Sequence, residues 1–192
     1  QLPSHDPSTL VSAMAAATQN LGFGITVNLS YESPYQFARR FASLDHLTQG
    51  RIGWNIVTGY LDSAERLIGQ KGLKDHDLRY AQAEEFLELC YKFWEGSWQD
   101  DAIVKNKAQR IFTDPTKVHA IHHQGQFYQS QGVFQVSPSP QRTPVLFQAG
   151  ASPRGLTFAT QHAEAMFIGG DQPSKIKQQV DQIRQRVIEQ GR

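Results

Sequence analysis

The chain has 192 residues, of which 39% are hydrophobic and 19% charged, with a formal net charge of +1 at neutral pH. That length supports one domain with a sizeable core, and the composition excludes a disordered tail. Near-neutral charge offers no one-signed field for nucleic acid or anionic lipid, and no apolar run approaches the ~20 residues that span a bilayer.

In chain order, Asp6-Pro7 reads as a helix start, with Leu10, Met14, Ala17 and Leu21 on one face and Gly22 as the stop. Gly24 to Leu29 reads as a short strand. Ser33-Pro34 opens a second helix with Phe37, Phe41, Leu44 and Leu47 as its apolar stripe, ended by Gly50. Arg51 to Thr58 is a second strand, and Tyr60 to Lys74 is irregular or short helical structure. Asp77 to Trp94 reads as a long helix with Ala83, Phe86, Leu87, Cys90, Tyr91 and Trp94 inward. Periodicity then fades from Glu95 to Thr143, which reads as an insertion carrying a small hairpin around Gly125 to Phe134. Regular alternation returns with a strand at Pro144 to Gln148, a helix from Ser152-Pro153, and a strand at Ala165 to Ile168. An amphipathic helix follows from Pro173 to Gln190, with Ile176, Val180, Ile183 and Val187 inward.

Alternation of this kind implies parallel strands covered by helices. Four strands are too few to close an eight-stranded barrel, which leaves a small open sheet or the middle of a barrel. The expected architecture is the second, the middle half of a (β/α) TIM-type barrel with an insertion at about 95–143, forming a single α/β domain over 1–192. The chain begins at Gln1, within an apparent structural unit. Cys90, the one cysteine, reads as a small core residue rather than a nucleophile. No signal peptide is visible, so a cytoplasmic location is expected.

Two helix starts carry candidate chemistry. His76 and Tyr80 lie four apart in a first turn with Arg79 beside them, where unpaired N–H groups and the helix dipole suit a phosphate. The alternative is structural, with Asp77 capping the helix and Arg79 pairing with an acidic neighbour. Gln148 to Gly155 (QAGASPRG) is a strand, a small-residue turn and a helix N-terminus, in which Ser152 offers a hydroxyl and its N–H, or serves only as a cap. Asn55 and Thr58 are polar positions in an otherwise buried strand, and Ser30 sits at the corresponding end of the preceding one; a ligand or a neighbouring loop could partner them. Trp54 alternates with Asn55, so one faces the helical layer and the other the barrel interior. His119, His122 and His123 lack companion ligands at a familiar spacing, and no metal site is expected. Asp45 and Arg51 flank a helix end and are expected to pair.

Ser43 to Thr58, His76 to Tyr80, Ser139 through Gly155, and Trp98 to Gly125 with its Asp114 to His119 and His123 to Gly125 words together resemble a family. It is the nitrilotriacetate and dibenzothiophene-sulfone monooxygenase branch of the bacterial-luciferase-like flavoproteins. The resemblance implies FMN lying across the carboxyl ends of the barrel strands. Reduced FMN, the co-substrate, comes from a separate NAD(P)H:flavin reductase and reacts with O2 to oxidise a small organic molecule at a C–S, C–N or C–H bond. It further implies that His76, Tyr80 and Ser152 contact the FMN phosphate or ribityl chain, and that Ser30 and Asn55 lie nearer the ring. No acid or base is assigned; the cofactor does the chemistry and the protein orients it. Family members are longer, and the chain is expected to lack two strands at either end. Gly59 stands where relatives often carry a larger polar residue. The alternatives are a deazaflavin-dependent hydride-transferring oxidoreductase of the same fold and a non-catalytic flavin-binding fragment. Exposed sheet edges favour a homo-oligomer.

Overall fold

A computed structural model describes residues 5–192. The Asp6 carboxylate accepts the Ser8 N–H at 2.9 Å and starts helix α1 (Ser8–Ala16). Val11 and Ala15 turn inward there, whereas Leu10, Met14 and Leu21 are exposed, against expectation. The smaller pair lets α1 lie close to the next helix. Strand β1 (Phe23–Asn28) leads to helix α2 (Pro34–Thr48), where Ser33 caps the Gln36 N–H. Its buried stripe is Phe37, Phe41, Leu44 and Thr48; Leu47 is exposed, because a 3.6-residue period carries the stripe on to position 48. Strand β2 (Ile52–Val57), a short helix α3 (Asp62–Leu67) and the long helix α4 (His76–Tyr91) follow, and a single π turn extends α4 through Lys92–Gly96.

Between α4 and the next sheet strand lie two antiparallel hairpins. One is β3 (Ile103–Asn106) with β4 (Ile111–Thr113), the other β5 (Ile121–Gln124) with β6 (Gln129–Gly132). The first was not foreseen, since Val104, Ile111 and Phe112 are exposed and give no one-sided pattern. Strand β7 (Val145–Gln148), helix α5 (Pro153–His162), a two-residue strand β8 (Ala165–Met166) and helix α6 (Pro173–Glu189) complete the chain. The apolar stripe of α6 is only half-buried.

The main sheet runs β1-β2-β7-β8, every pair parallel. The helices pack in series, α1 on α2, α2 on α4, α4 on α5 and α5 on α6, in one layer on one face of the sheet. A doubly wound sheet would place helices on both faces; a one-sided arc is how a (β/α) barrel is built. Trp54 is fully buried against Phe37, Phe41 and Phe86 in the helical layer. Asn55 points the other way, to the face that bears Thr26 and Phe147. Cys90 is fully buried, its thiol 3.9 Å from the Pro34 carbonyl oxygen, and burial pushes its pKa well up.

Asp45 and Arg51 do not pair. Arg51 donates to the carbonyls of Thr48 (2.7 Å), Leu21 (2.9 Å) and Ala15 (3.2 Å), closing the end of α1. Asp45 instead accepts the Gln141 N–H at 2.7 Å and its Nε2 at 2.6 Å. No helix among the described residues is long and apolar enough to cross a membrane.

The β5–β6 hairpin is moored to α4 by Glu85. Its carboxylate accepts the N–H groups of Phe127 (2.9 Å) and Tyr128 (2.7 Å) and meets His123 Nε2 at 3.2 Å. Burial pushes the Glu85 carboxyl up, but those donors outweigh it and its pKa lies below the ordinary glutamate value. A depressed carboxylate stabilises the fold above its ordinary pKa and loses that contribution as pH falls through the lowered one. Stability should therefore drop below about pH 4.3. Glu85→Gln should cost about 1.5–3 kcal/mol at neutral pH and flatten the acid dependence. Urea midpoints at pH 7 and pH 4 check both; an unchanged pH slope in the variant would contradict the assignment.

Candidate functional site

Both helix starts singled out in the sequence follow carboxyl ends of sheet strands, α4 after β2 and α5 after β7. Asp75, rather than Asp77, caps α4, accepting the Asp77 N–H at 2.9 Å. That begins the helix at His76 and sets His76 and Tyr80 one turn apart on the same side. Ser152 caps α5, its hydroxyl accepting the Gly155 N–H at 3.0 Å, with Pro153 in the first turn.

The two starts meet. His76 Nε2 lies 3.2 Å from Ser152 Oγ, and its Nδ1 lies 2.9 Å from the Asp77 carboxylate. The Tyr80 ring sits 5.1 Å from the His76 ring and 5.6 Å, edge-on, from Phe158. Tyr80 is almost fully buried, and its hydroxyl packs against Gly150 and Gly155 of the turn. A Cβ on Gly155 would lie 2.7 Å from that hydroxyl, and one on Gly150 would lie 2.9 Å away, so only glycine admits this approach. Gln148 folds back to accept the Gly150 N–H. A hydroxyl, a phenol, an imidazole and the positive start of α5 thus converge on one turn, a set of donors matched to an anion, while the start of α4 is capped by the Asp75 carboxylate.

The other two candidates stand apart. Asn55 donates to Thr26 Oγ1 at 3.0 Å, while its Oδ1 is buried with no partner. Ser30 donates its N–H to Asn28 Oδ1 at 3.1 Å. No hydrogen bond among the described residues joins either to His76, Tyr80 or Ser152. Arg79 also departs from expectation. Its guanidinium donates to the Gly59 carbonyl, and no ion pair joins it to an acidic neighbour among the described residues. The buried Glu65 near that turn was not foreseen; the only sequence signal is an acidic residue in a short helix after Gly59.

Of the three histidines in the insertion, His119 and His123 make structural contacts, and His122 is exposed. His123 is buried between Glu85 and Lys92, its Nδ1 3.0 Å from Lys92 Nζ, and His119 Nε2 lies 3.1 Å from Gln99 Nε2. Among the described residues no group of three His, Cys, Asp or Glu side chains is placed to hold a metal.

An arc of (β/α) barrel with its polar cradle at the carboxyl ends of the strands defines a class of ligand-binding α/β proteins. Within that class the chain belongs to the luciferase-like monooxygenase family, whose model matches residues 1–192. It is 50% identical over its whole length to the long-chain alkane monooxygenase of Geobacillus thermodenitrificans, covering 44% of that protein. It is 49% identical to the dimethyl-sulfide monooxygenase of Hyphomicrobium sulfonivorans, covering 40% of it. The crystal structure of a long-chain alkane monooxygenase superimposes with a TM-score of 0.96, and that of a riboflavin lyase with modified FMN and riboflavin with 0.95 at 47% identity. These cover all of this chain and 44% and 43% of the respective solved chains. The chain therefore spans less than half the length of these relatives.

Proposed function

We propose that this chain is the cofactor-cradling part of an FMN-dependent monooxygenase that takes reduced FMN from a separate NAD(P)H:flavin reductase and uses O2 to oxidise a small organic molecule. The observation that carries the reading is the meeting of His76, Tyr80 and Ser152 over the glycine-narrowed turn Gly150–Gly155. Its chemistry fits a phosphate monoester on a ribityl arm: donors from two helix starts, little bulk, and no competing carboxylate on Ser152. The relatives' names, a long-chain alkane monooxygenase and a dimethyl-sulfide monooxygenase, support an organic substrate oxidised at a C–H or C–S bond.

When bound, reduced FMN would supply the electrons that activate O2 for insertion into the substrate. The protein's part is binding and orientation. Ser152 and the first N–H groups of α5 would hold the phosphate, with His76 fixing the Ser152 hydroxyl and Tyr80 closing the cradle from below. Ser30 and Asn55 would offer hydrogen bonds nearer the ring, Asn55 through its unpartnered Oδ1.

Titration of the chain with reduced and oxidised FMN, anaerobically for the former, tests the proposal. Saturable binding is expected, and Tyr80→Phe combined with Ser152→Ala should weaken it, each lost charge-assisted bond costing about 1.5–3 kcal/mol. Unchanged affinity in a folded double variant would reject the phosphate assignment.

A further inference from the structure

The two groups of proposed flavin contacts share no hydrogen bond, yet both must be placed to a fraction of an ångström for one rigid ligand to meet them. The first turn of α4 reaches both. His76 and Tyr80 face the Ser152 turn, while Arg79, next to Tyr80 in sequence, points to the turn after β2 and donates from Nη1 to the Gly59 carbonyl. Gly59 has φ +86°, a conformation that suits glycine, and it is closely packed. A Cβ there would lie 3.1 Å from both Asn28 Nδ2 and Glu65 Oε1. Asn28 in turn accepts the Ser30 N–H. A continuous path therefore runs from the Ser152 turn through α4, Arg79, Gly59 and Asn28 to Ser30.

This path carries an unusual polar cost. Glu65 is 3% exposed, and its Oε1 makes no hydrogen bond; the Arg79 Nε is likewise buried without one. No ion pair joins the two within 4.0 Å among the described residues. Buried ionisable groups without hydrogen-bond partners are costly, and here an acidic and a basic side chain flank a single left-handed turn.

We propose that Arg79 is a positioning residue, supported by Glu65, that fixes the phosphate-binding and ring-binding halves of the flavin site relative to one another. This rests on the FMN reading above. The competing role, a direct phosphate ligand, makes the opposite prediction for a flavin that lacks phosphate.

The test measures dissociation constants of FMN and of riboflavin for the 192-residue chain and for Arg79→Met, Arg79→Lys and Glu65→Gln, with flavin-free thermal melting as the check on folding. A positioning role predicts that Arg79→Met weakens both flavins by the same factor, about tenfold. Arg79→Lys, whose ammonium can donate a single bond to the same carbonyl, should recover part of the loss, and to the same extent for both flavins. Should Arg79→Met fail to fold, Glu65→Gln carries the test and should show the same equal loss. Weakening confined to FMN and restored by Arg79→Lys would make Arg79 a phosphate ligand and overturn the proposal. Unchanged affinity for both flavins in folded Arg79→Met or Glu65→Gln would overturn it too, leaving the flavin reading intact if Tyr80→Phe with Ser152→Ala still weakens FMN. A folded wild-type chain that binds neither flavin would overturn the proposal, together with the reading that this chain by itself cradles the flavin.

Discussion

Trp54→Ala should destabilise the fold by about 4 kcal/mol, within the range for truncating a fully buried aromatic side chain. Trp54 is fully buried at the meeting point of strand β2 and the helical layer. Its ring centroid is 4.2 Å from that of Phe37, 6.1 Å from Phe41 and 6.0 Å from Phe86. Its Nε1 also donates to the Val27 carbonyl at 3.3 Å, tying β2 to β1. Alanine would remove the apolar contacts of two helices at once and leave a cavity that neighbours on rigid elements cannot fill. Native stability is commonly only 5–15 kcal/mol, so a loss of this size is a large share of it. Urea denaturation followed by circular dichroism reads the effect, and a loss below about 1 kcal/mol would show that the neighbouring rings close the gap.

Asp45→Ala should cost about 3 kcal/mol, and for a different reason. Asp45 is 1% exposed, on the last turn of α2, and its carboxylate holds the loop that enters β7 through two short hydrogen bonds from Gln141. Gln141 Nε2 also donates to the Ile52 carbonyl at 2.9 Å, so the same contact steadies the start of β2. Alanine would leave buried donors without an acceptor. Asp45→Asn should recover only part of the loss, because its amide supplies one acceptor where two donors point. Comparing the chemical-denaturation midpoints of the two variants checks this order.

These two positions mark what the sequence could and could not disclose. Alternation in a strand of period two set Trp54 and Asn55 on opposite faces but left open which faces the helices; the packing of Phe37, Phe41 and Phe86 decides it. The two helix starts that carry His76, Tyr80 and Ser152 were legible as well, but only the family resemblance put the three residues on one ligand. Parallel α/β topology brings such starts to one end of the sheet. Asp45 was misassigned to Arg51 because its true partner lies 96 residues away and nothing local announces it. Arg79 was misread for the same reason, since direction around a helix depends on what packs there rather than on spacing. The hairpins between α4 and β7 were half-seen, because their strands are polar or exposed and the anchoring acceptor, Glu85, sits on another element.

The burial of Cys90 gives the molecule a chemical clock. It is the chain's single thiol, sealed between α4 and the start of α2 beside the Pro34 carbonyl. Burial holds it in the unreactive thiol form, so an added alkylating reagent meets it only when those helices part. Labelling kinetics therefore count openings of the helical layer directly, with no engineered probe and no competing cysteine to correct for.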